Sequence, residues 1–121
     1  MFLLKIIQNS EISPADIDEI IRIKSITWPY SYEKQLEWIN SKIKDTDIHV
    51  LLYFDKSLVA YLNLIEIEVT LDSNFKKGYG IGNVCSLEKW KGWGKKIISE
   101  TNTYLTQNNK IGTLVSTKLF V

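Results

Sequence analysis

The sequence predicts one mixed α/β domain with the element order β-α-α-β-β-β-α-β. Three observations carry this. Leu- and Ile-rich runs bounded by polar turns read as strands at the start and in the middle of the chain. Two windows with helical apolar spacing, each opened by a capping serine, follow the first strand. Near the end, a strand, a glycine-containing turn, a helix and another strand make a crossover unit.

Phe2 to Gln8 reads as the first strand. Ser13-Pro14-Ala15-Asp16 then opens a helix: Ser13 caps, Pro14 suits the first helical position, and Asp16 stands where a capping-box carboxylate belongs. Ile17, Ile20, Ile21 and Lys24 line one face, with Ile23 beside it, and Trp28-Pro29 ends the helix. Ser31 caps a second helix, with Tyr32, Leu36, Ile39 and Ile43 as its stripe and Trp38 off it. Asp45-Thr46-Asp47 breaks it.

Ile48 to Phe54, the turn Asp55-Lys56-Ser57 and the long strand Leu58 to Leu71 form a hairpin. Alternation in the second strand implies a wetter face carrying Glu66 and Glu68. Asp72 to Lys77 reads as a polar loop, Gly80 to Ser86 as a strand, Gly92 to Asn108 as a helix and Ile111 to Ser116 as the last strand. Ile97, Ile98, Thr101, Tyr104 and Leu105 share one face of that last helix.

Composition narrows the function classes. With 121 residues, of which 45% are apolar, the chain suits one domain, residues 1–121, with a core. Fifteen basic against fourteen acidic residues leave a net charge of +1, a near-balance that argues against a broad electrostatic footprint for nucleic acid while leaving room for a local basic site. The single cysteine forbids an intramolecular disulfide, and MFLLKII is too short to span a membrane and lacks the flanks of a signal peptide. The expected location is the cytoplasm, with no membrane partner and no metal.

The informative stretch runs from Asn83 to Ile98. A helix start offers free backbone N–H groups and a positive dipole end, and glycines let a phosphate approach them. Lys89, Lys91, Lys95 and Lys96 add charge around Gly92 and Gly94. This is a cradle for a pyrophosphate. It is not a Walker loop, because Lys89 stands where the first glycine belongs, nor a dinucleotide fingerprint, because Ile97 replaces the third glycine. Gly78, Gly80 and Gly82 alternate at the start of a strand and read as turn and bend residues.

Lys89-Trp90-Lys91-Gly92-Trp93-Gly94, between a strand ending Val84-Cys85-Ser86 and a helix continuing Lys96-Ile97-Ile98, resembles the cofactor motif Gln/Arg-x-x-Gly-x-Gly/Ala of the GNAT N-acetyltransferases. The element order resembles that family as well. The resemblance implies a mostly antiparallel sheet with helices on both faces and acetyl-CoA as co-substrate. Backbone N–H groups from Lys89 through Trp90, Lys91, Gly92, Trp93 and Gly94 to Lys95 would hold the CoA pyrophosphate. Val84 and Ser86 would pair with the pantetheine arm as with an added strand. An N–H near Val84 or Cys85 would polarise the acetyl carbonyl. The amine of a small molecule or peptide would then attack. The first motif position is Lys89, which keeps the charge but departs from Gln or Arg.

The family continues into a further helix, which often carries a tyrosine general acid, and two more strands. This chain stops at Val121, so it is expected to be a C-terminally shortened form with an open sheet edge that invites dimerisation. Glu66 and Glu68 are the candidates to take the amine's proton. Cys85 fits either a nucleophile or a small buried residue, and His49 fits a structural role. Trp28, Tyr30 and Tyr32 could line an acceptor pocket, and Trp90 and Trp93 could stack near the cofactor. The alternative function is a GNAT-like module that holds acyl-CoA without chemistry, or a remnant that acts through protein contacts.

Overall fold

The computed structural model describes residues 1–87, 91–108 and 111–114. The elements are β1 (Phe2–Gln8), a 3-10 turn (Asn9–Glu11), α1 (Pro14–Thr27), α2 (Tyr32–Lys42), β2 (Ile48–Phe54), β3 (Ser57–Leu71), β4 (Asn74–Ser86), α3 (Trp93–Gln107) and β5 (Ile111–Leu114). They form one sheet in the order β1-β2-β3-β4-β5. The first four strands pair antiparallel, and β5 returns through α3 to run parallel to β4. The expected architecture is therefore present, a mostly antiparallel sheet with helices on both faces.

Local chemistry sets the ends of these elements. Ser13 and Ser31 cap α1 and α2 by accepting the N–H groups of Asp16 and Lys34, contacts worth about 1 kcal/mol each. The Asp16 carboxylate turns to Lys5 Nζ and Tyr53 OH at 2.9 Å each. Burial raises its pKa, but the bonds from Lys5 and Tyr53 outweigh this and hold it below the usual range. Tyr32, expected on the apolar stripe of α2, is exposed, and Gln35 is buried instead because its Nε2 donates to Trp28 O at 2.7 Å. Asp47 closes the α2–β2 connection, accepting from Lys44 N and from Glu66 N at 2.8 Å.

Asp72 to Lys77 is not a loop, because a two-residue turn at Asp72 and Ser73 (φ 50° and 67°) starts β4 at Asn74. Asp55 and Lys56 make the matching turn between β2 and β3 (φ 48° and 70°). Both positions of such turns need positive φ, the geometry that matches the twist of a hairpin. Gly78, Gly80 and Gly82 consequently lie inside β4, opposite Ile67, Ile65 and Asn63.

The sheet separates two cores. On one side Ile97 and Leu105 of α3 pack on Val50, Leu52, Leu62 and Leu64. On the other, Ile20, Ile21 and Ile23 of α1 and Ile39 of α2 pack on Leu51, Leu58, Tyr61 and Cys85.

Candidate functional site

The β3–β4 ladder breaks at one point. Tyr61 pairs with Cys85 and Asn63 with Gly82, so Asn83 and Val84 together oppose Leu62. Asn83 takes the extra residue's turn with φ 54°. Such a bulge re-aims the strand and leaves backbone groups outside the ladder. The residues expected to meet a pantetheine arm lie at or just past it. Val84 packs partly buried toward α3, Cys85 is buried toward α1, and Ser86 is half-buried on the α3 side. On the β5 side, pairing with β4 is described from Gly78↔Ile111 to Ile81↔Leu114, just short of the bulge.

The helix α3 begins a few residues past this strand end. Gly92 is its N-cap in the left-handed conformation (φ 74°) with no side-chain cap, and Lys96 N bonds back to Gly92 O. The first N–H groups of the helix, on Trp93, Gly94 and Lys95, have no intrahelical acceptor, as in any helix. A Cβ on Gly94 would stand 3.3 Å from Ser86 Oγ, whereas one on Gly92 would meet nothing within 4 Å. A side chain at position 94 would crowd the Ser86 hydroxyl by a few tenths of an ångström, whereas position 92 favours glycine for its backbone angle. Lys91 and Lys95 are exposed around this end. Lys96 is engaged elsewhere, 4.5 Å from the centre of the Phe2 ring and 3.7 Å from Glu100. Lys89 and Trp90, expected in the same cradle, lie outside the described residues. Trp93 packs half-buried with its ring 6.2 Å from Phe54, so its side chain belongs to the core.

The carboxylates Glu66 and Glu68 are not brought to this point. Both lie on the α3 side of β3, opposite Tyr79 and Lys77. Val84 lies five residues further along β4, roughly 15 Å from Tyr79 at the strand rise. Leu62 and Leu64, on the same face, are fully buried, so the wetter face begins only at Glu66. Glu66 is partly exposed, 3.8 Å from Lys77 Nζ, and Glu68 is exposed.

A polar chain on the opposite face had escaped the sequence reading. His49 is fully buried, with Nδ1 2.6 Å from Tyr61 OH and Nε2 2.8 Å from Asn9 Oδ1. Asn63 Nδ2 donates to Tyr61 OH at 3.4 Å. Burial, helped by the charge of Lys24 and opposed by Asp47, lowers the His49 pKa to about 4, so the ring is neutral at pH 7. Lys24, fully buried under α1 with Nζ 4.2 Å from the centre of the Trp38 ring, is lowered to about 7 by burial, against a smaller opposing effect of Cys85. Burial pushes the Cys85 thiol up to about 12, with Lys24 opposing, which keeps it protonated and unsuited to nucleophilic work. At the α1–α2 corner, Tyr30 and Tyr32 are exposed, and Tyr32 OH donates to Asp18 at 2.6 Å. Among the described residues no group of His, Cys, Asp or Glu could hold a metal, and no helix is long and apolar enough to cross a membrane.

No protein-family model matches the sequence, and no curated protein matches it. Solved structures do. A probable N-acyltransferase of Enterococcus faecalis superposes with a TM-score of 0.72 at 16% identity over 96% of this chain, which spans 29% of that protein's length. A GNAT family acetyltransferase of Staphylococcus aureus gives 0.70 at 15% identity, covering 95% of this chain and 86% of that one. A predicted acetyltransferase of Clostridium acetobutylicum, solved with acetyl-CoA, gives 0.66 at 13% identity, covering 98% and 83%. At such identities the likeness is one of architecture, and the chain has the fold of the GNAT acetyltransferases.

Proposed function

We propose that this chain is the acyl-CoA-binding core of an N-acetyltransferase that moves an acetyl group from acetyl-CoA to the primary amine of a small molecule or peptide. The observation that carries this is the pairing of the bulge at Asn83 with the α3 start at Gly92, joined by the tight Gly94–Ser86 approach. A Cβ-free helix start beside a strand whose ladder is interrupted suits a ligand with a pyrophosphate and an extended, amide-bearing arm. The fold shared with acetyltransferases, one of them solved with acetyl-CoA, supports the same reading.

In this reading the N–H groups of Trp93, Gly94 and Lys95 hold the pyrophosphate, and Lys91 and Lys95 supply charge. Lys89 and Trp90 extend the cradle in the proposal. Val84 and Ser86 pair with the arm, and an N–H freed by the bulge, at Val84 or Cys85, faces the acyl oxygen. Acetyl-CoA supplies an acyl group already activated as a thioester; the amine nitrogen bonds to the acyl carbon as the carbon–sulfur bond breaks, and CoA leaves as its thiolate, which takes up a proton from solvent. Glu66 and Glu68 stand too far along the strand to take the amine's proton, so we assign that step to water rather than to either. The setting is the cytoplasm.

The test is calorimetric titration of the chain with acetyl-CoA, desulfo-CoA and ADP, followed by an amine screen. Micromolar binding with turnover is expected. Binding without turnover on any amine would favour a module that holds acyl-CoA without chemistry.

A further inference from the structure

We infer that the side-chain oxygen of Asn63 receives the N–H of the attacking amine; this rests on the acyl-CoA reading above and assigns that site its acceptor-positioning residue. The buried hydrogen bonds run in one direction. Asn9 Nδ2 donates to Ile43 O at 3.3 Å, which leaves Asn9 Oδ1 as the acceptor for His49 Nε2–H. His49 Nδ1 is then the bare nitrogen and accepts the Tyr61 hydroxyl proton. The Tyr61 oxygen in turn accepts from Asn63 Nδ2. Every link runs one way, so the amide of Asn63 cannot flip without breaking the chain.

Its oxygen is the loose end. Asn63 is fully buried, and Oδ1 has no hydrogen-bond partner among the described residues. It faces Gly82, where a Cβ would stand 3.2 Å away. Gly82 immediately precedes the bulge at Asn83, and Gly80 and Gly78 continue the same face of β4. Three successive positions on that face, all of them buried, thus lack a side chain, and the last lies against the oriented acceptor on the strand assigned to the acyl group. A buried acceptor that no donor among the described residues satisfies, fixed in place by a relay, suits a ligand N–H. The Tyr61–His49–Asn9 relay touches no substrate in this arrangement; it positions Asn63.

The test needs no knowledge of the natural amine. Two CoA thioethers are compared by calorimetry, one ending in CH2–CO–NH–CH3 and one in CH2–CO–CH2–CH3, which differ by one N–H. The wild type is expected to bind the amide about ten-fold more tightly. Asn63→Ala and the closer isostere Asn63→Leu are expected to reduce that preference to within about twofold while leaving the affinity for the ketone unchanged. Tyr61→Phe, which frees the amide to rotate, is expected to weaken the preference and serves if neither Asn63 variant folds. An undiminished preference in the variants, or none in the wild type, overturns the inference. Failure of the folded wild type to bind either thioether or CoA itself contradicts the acyl-CoA reading, and this inference with it.

Discussion

The two faces of the sheet are built on different physical terms. Under α3 the core is aliphatic: Val50, Leu52, Leu62, Leu64, Ile97 and Leu105 are buried together, with Ala60 and Val59 filling in. Under α1 and α2 equally buried positions carry Lys24, His49, Asn63 and Tyr61 among the isoleucines. Apolar burial stabilises in proportion to area, whereas a buried polar group costs free energy unless it is bonded. The α3 face therefore serves as the anchor that holds β3, β4 and the start of α3 in register. The other face gives up stability to keep an oriented polar chain beside the bulge. Such a concession is common where a surface must meet a ligand.

Truncating the anchor should have the largest effect. Leu62→Ala is expected to cost about 2–5 kcal/mol in denaturant unfolding, because it opens a cavity in a fully enclosed core. On the other face Tyr61→Phe removes one oxygen and little packing, and should cost about 1–3 kcal/mol by leaving His49 Nδ1 and Asn63 Nδ2 unmatched. A loss with Tyr61→Phe as large as with Leu62→Ala would break the contrast between the faces.

The pH dependence sharpens it. His49 is held near 4 when folded and titrates near 6.5 when unfolded, so the unfolded chain binds the extra proton and stability falls as pH drops from about 6.5 to 4. The same sign holds for Lys24 at higher pH: its folded value near 7 lies below 10.5, so its contribution to stability rises with pH between those values. Thermal melts are expected to show His49→Gln losing less stability than the wild type on acidification. They are also expected to show the gap between the wild type and Lys24→Met narrowing from pH 7 toward pH 10. Parallel curves for the wild type and both variants would contradict the assignment.

Two smaller effects complete the comparison. Thr101 Oγ1 is buried in the aliphatic core with no hydrogen-bond partner among the described residues. Thr101→Val should be neutral or stabilising, by up to about 1 kcal/mol, whereas the oxygen of Asn63, likewise without a partner among the described residues, is the one proposed to meet a ligand N–H. Glu66→Gln is expected to leave turnover within about twofold; a loss of a hundred-fold would restore it as a base.

Much of this was legible in the sequence where the signal is local. Ser13 and Ser31 announce their helices, Trp28-Pro29 ends the first, and the Gly92–Gly94 pair marks the start of α3. The turn at Asp55 and Lys56 stands out because apolar strands flank it, whereas the one at Asp72 and Ser73 runs into the polar residues Asn74, Lys76 and Lys77, which hide the start of β4. The bulge had one weak clue: asparagine tolerates positive φ better than most residues, and Asn83 directly precedes Val84. The polar chain was illegible for a different reason. Asn9, His49 and Asn63 meet only through strand register, Asn9 and His49 being 40 positions apart, and alternation alone made Asn63 one more polar position. The same alternation suggested an accessible face at Glu66 and Glu68, but which of its residues are wet depends on where α3 ends.

The central claim is that Gly92 to Lys95 and the bulged strand together hold CoA. The direct test is calorimetric titration of acetyl-CoA into the wild type and into Gly94→Val, with far-ultraviolet circular dichroism to confirm that both are folded. The account predicts micromolar binding to the wild type and a loss of at least about ten-fold in the variant, because a side chain at position 94 pushes the helix start off Ser86. Equal affinity in two folded proteins, or no binding to the folded wild type, would contradict it.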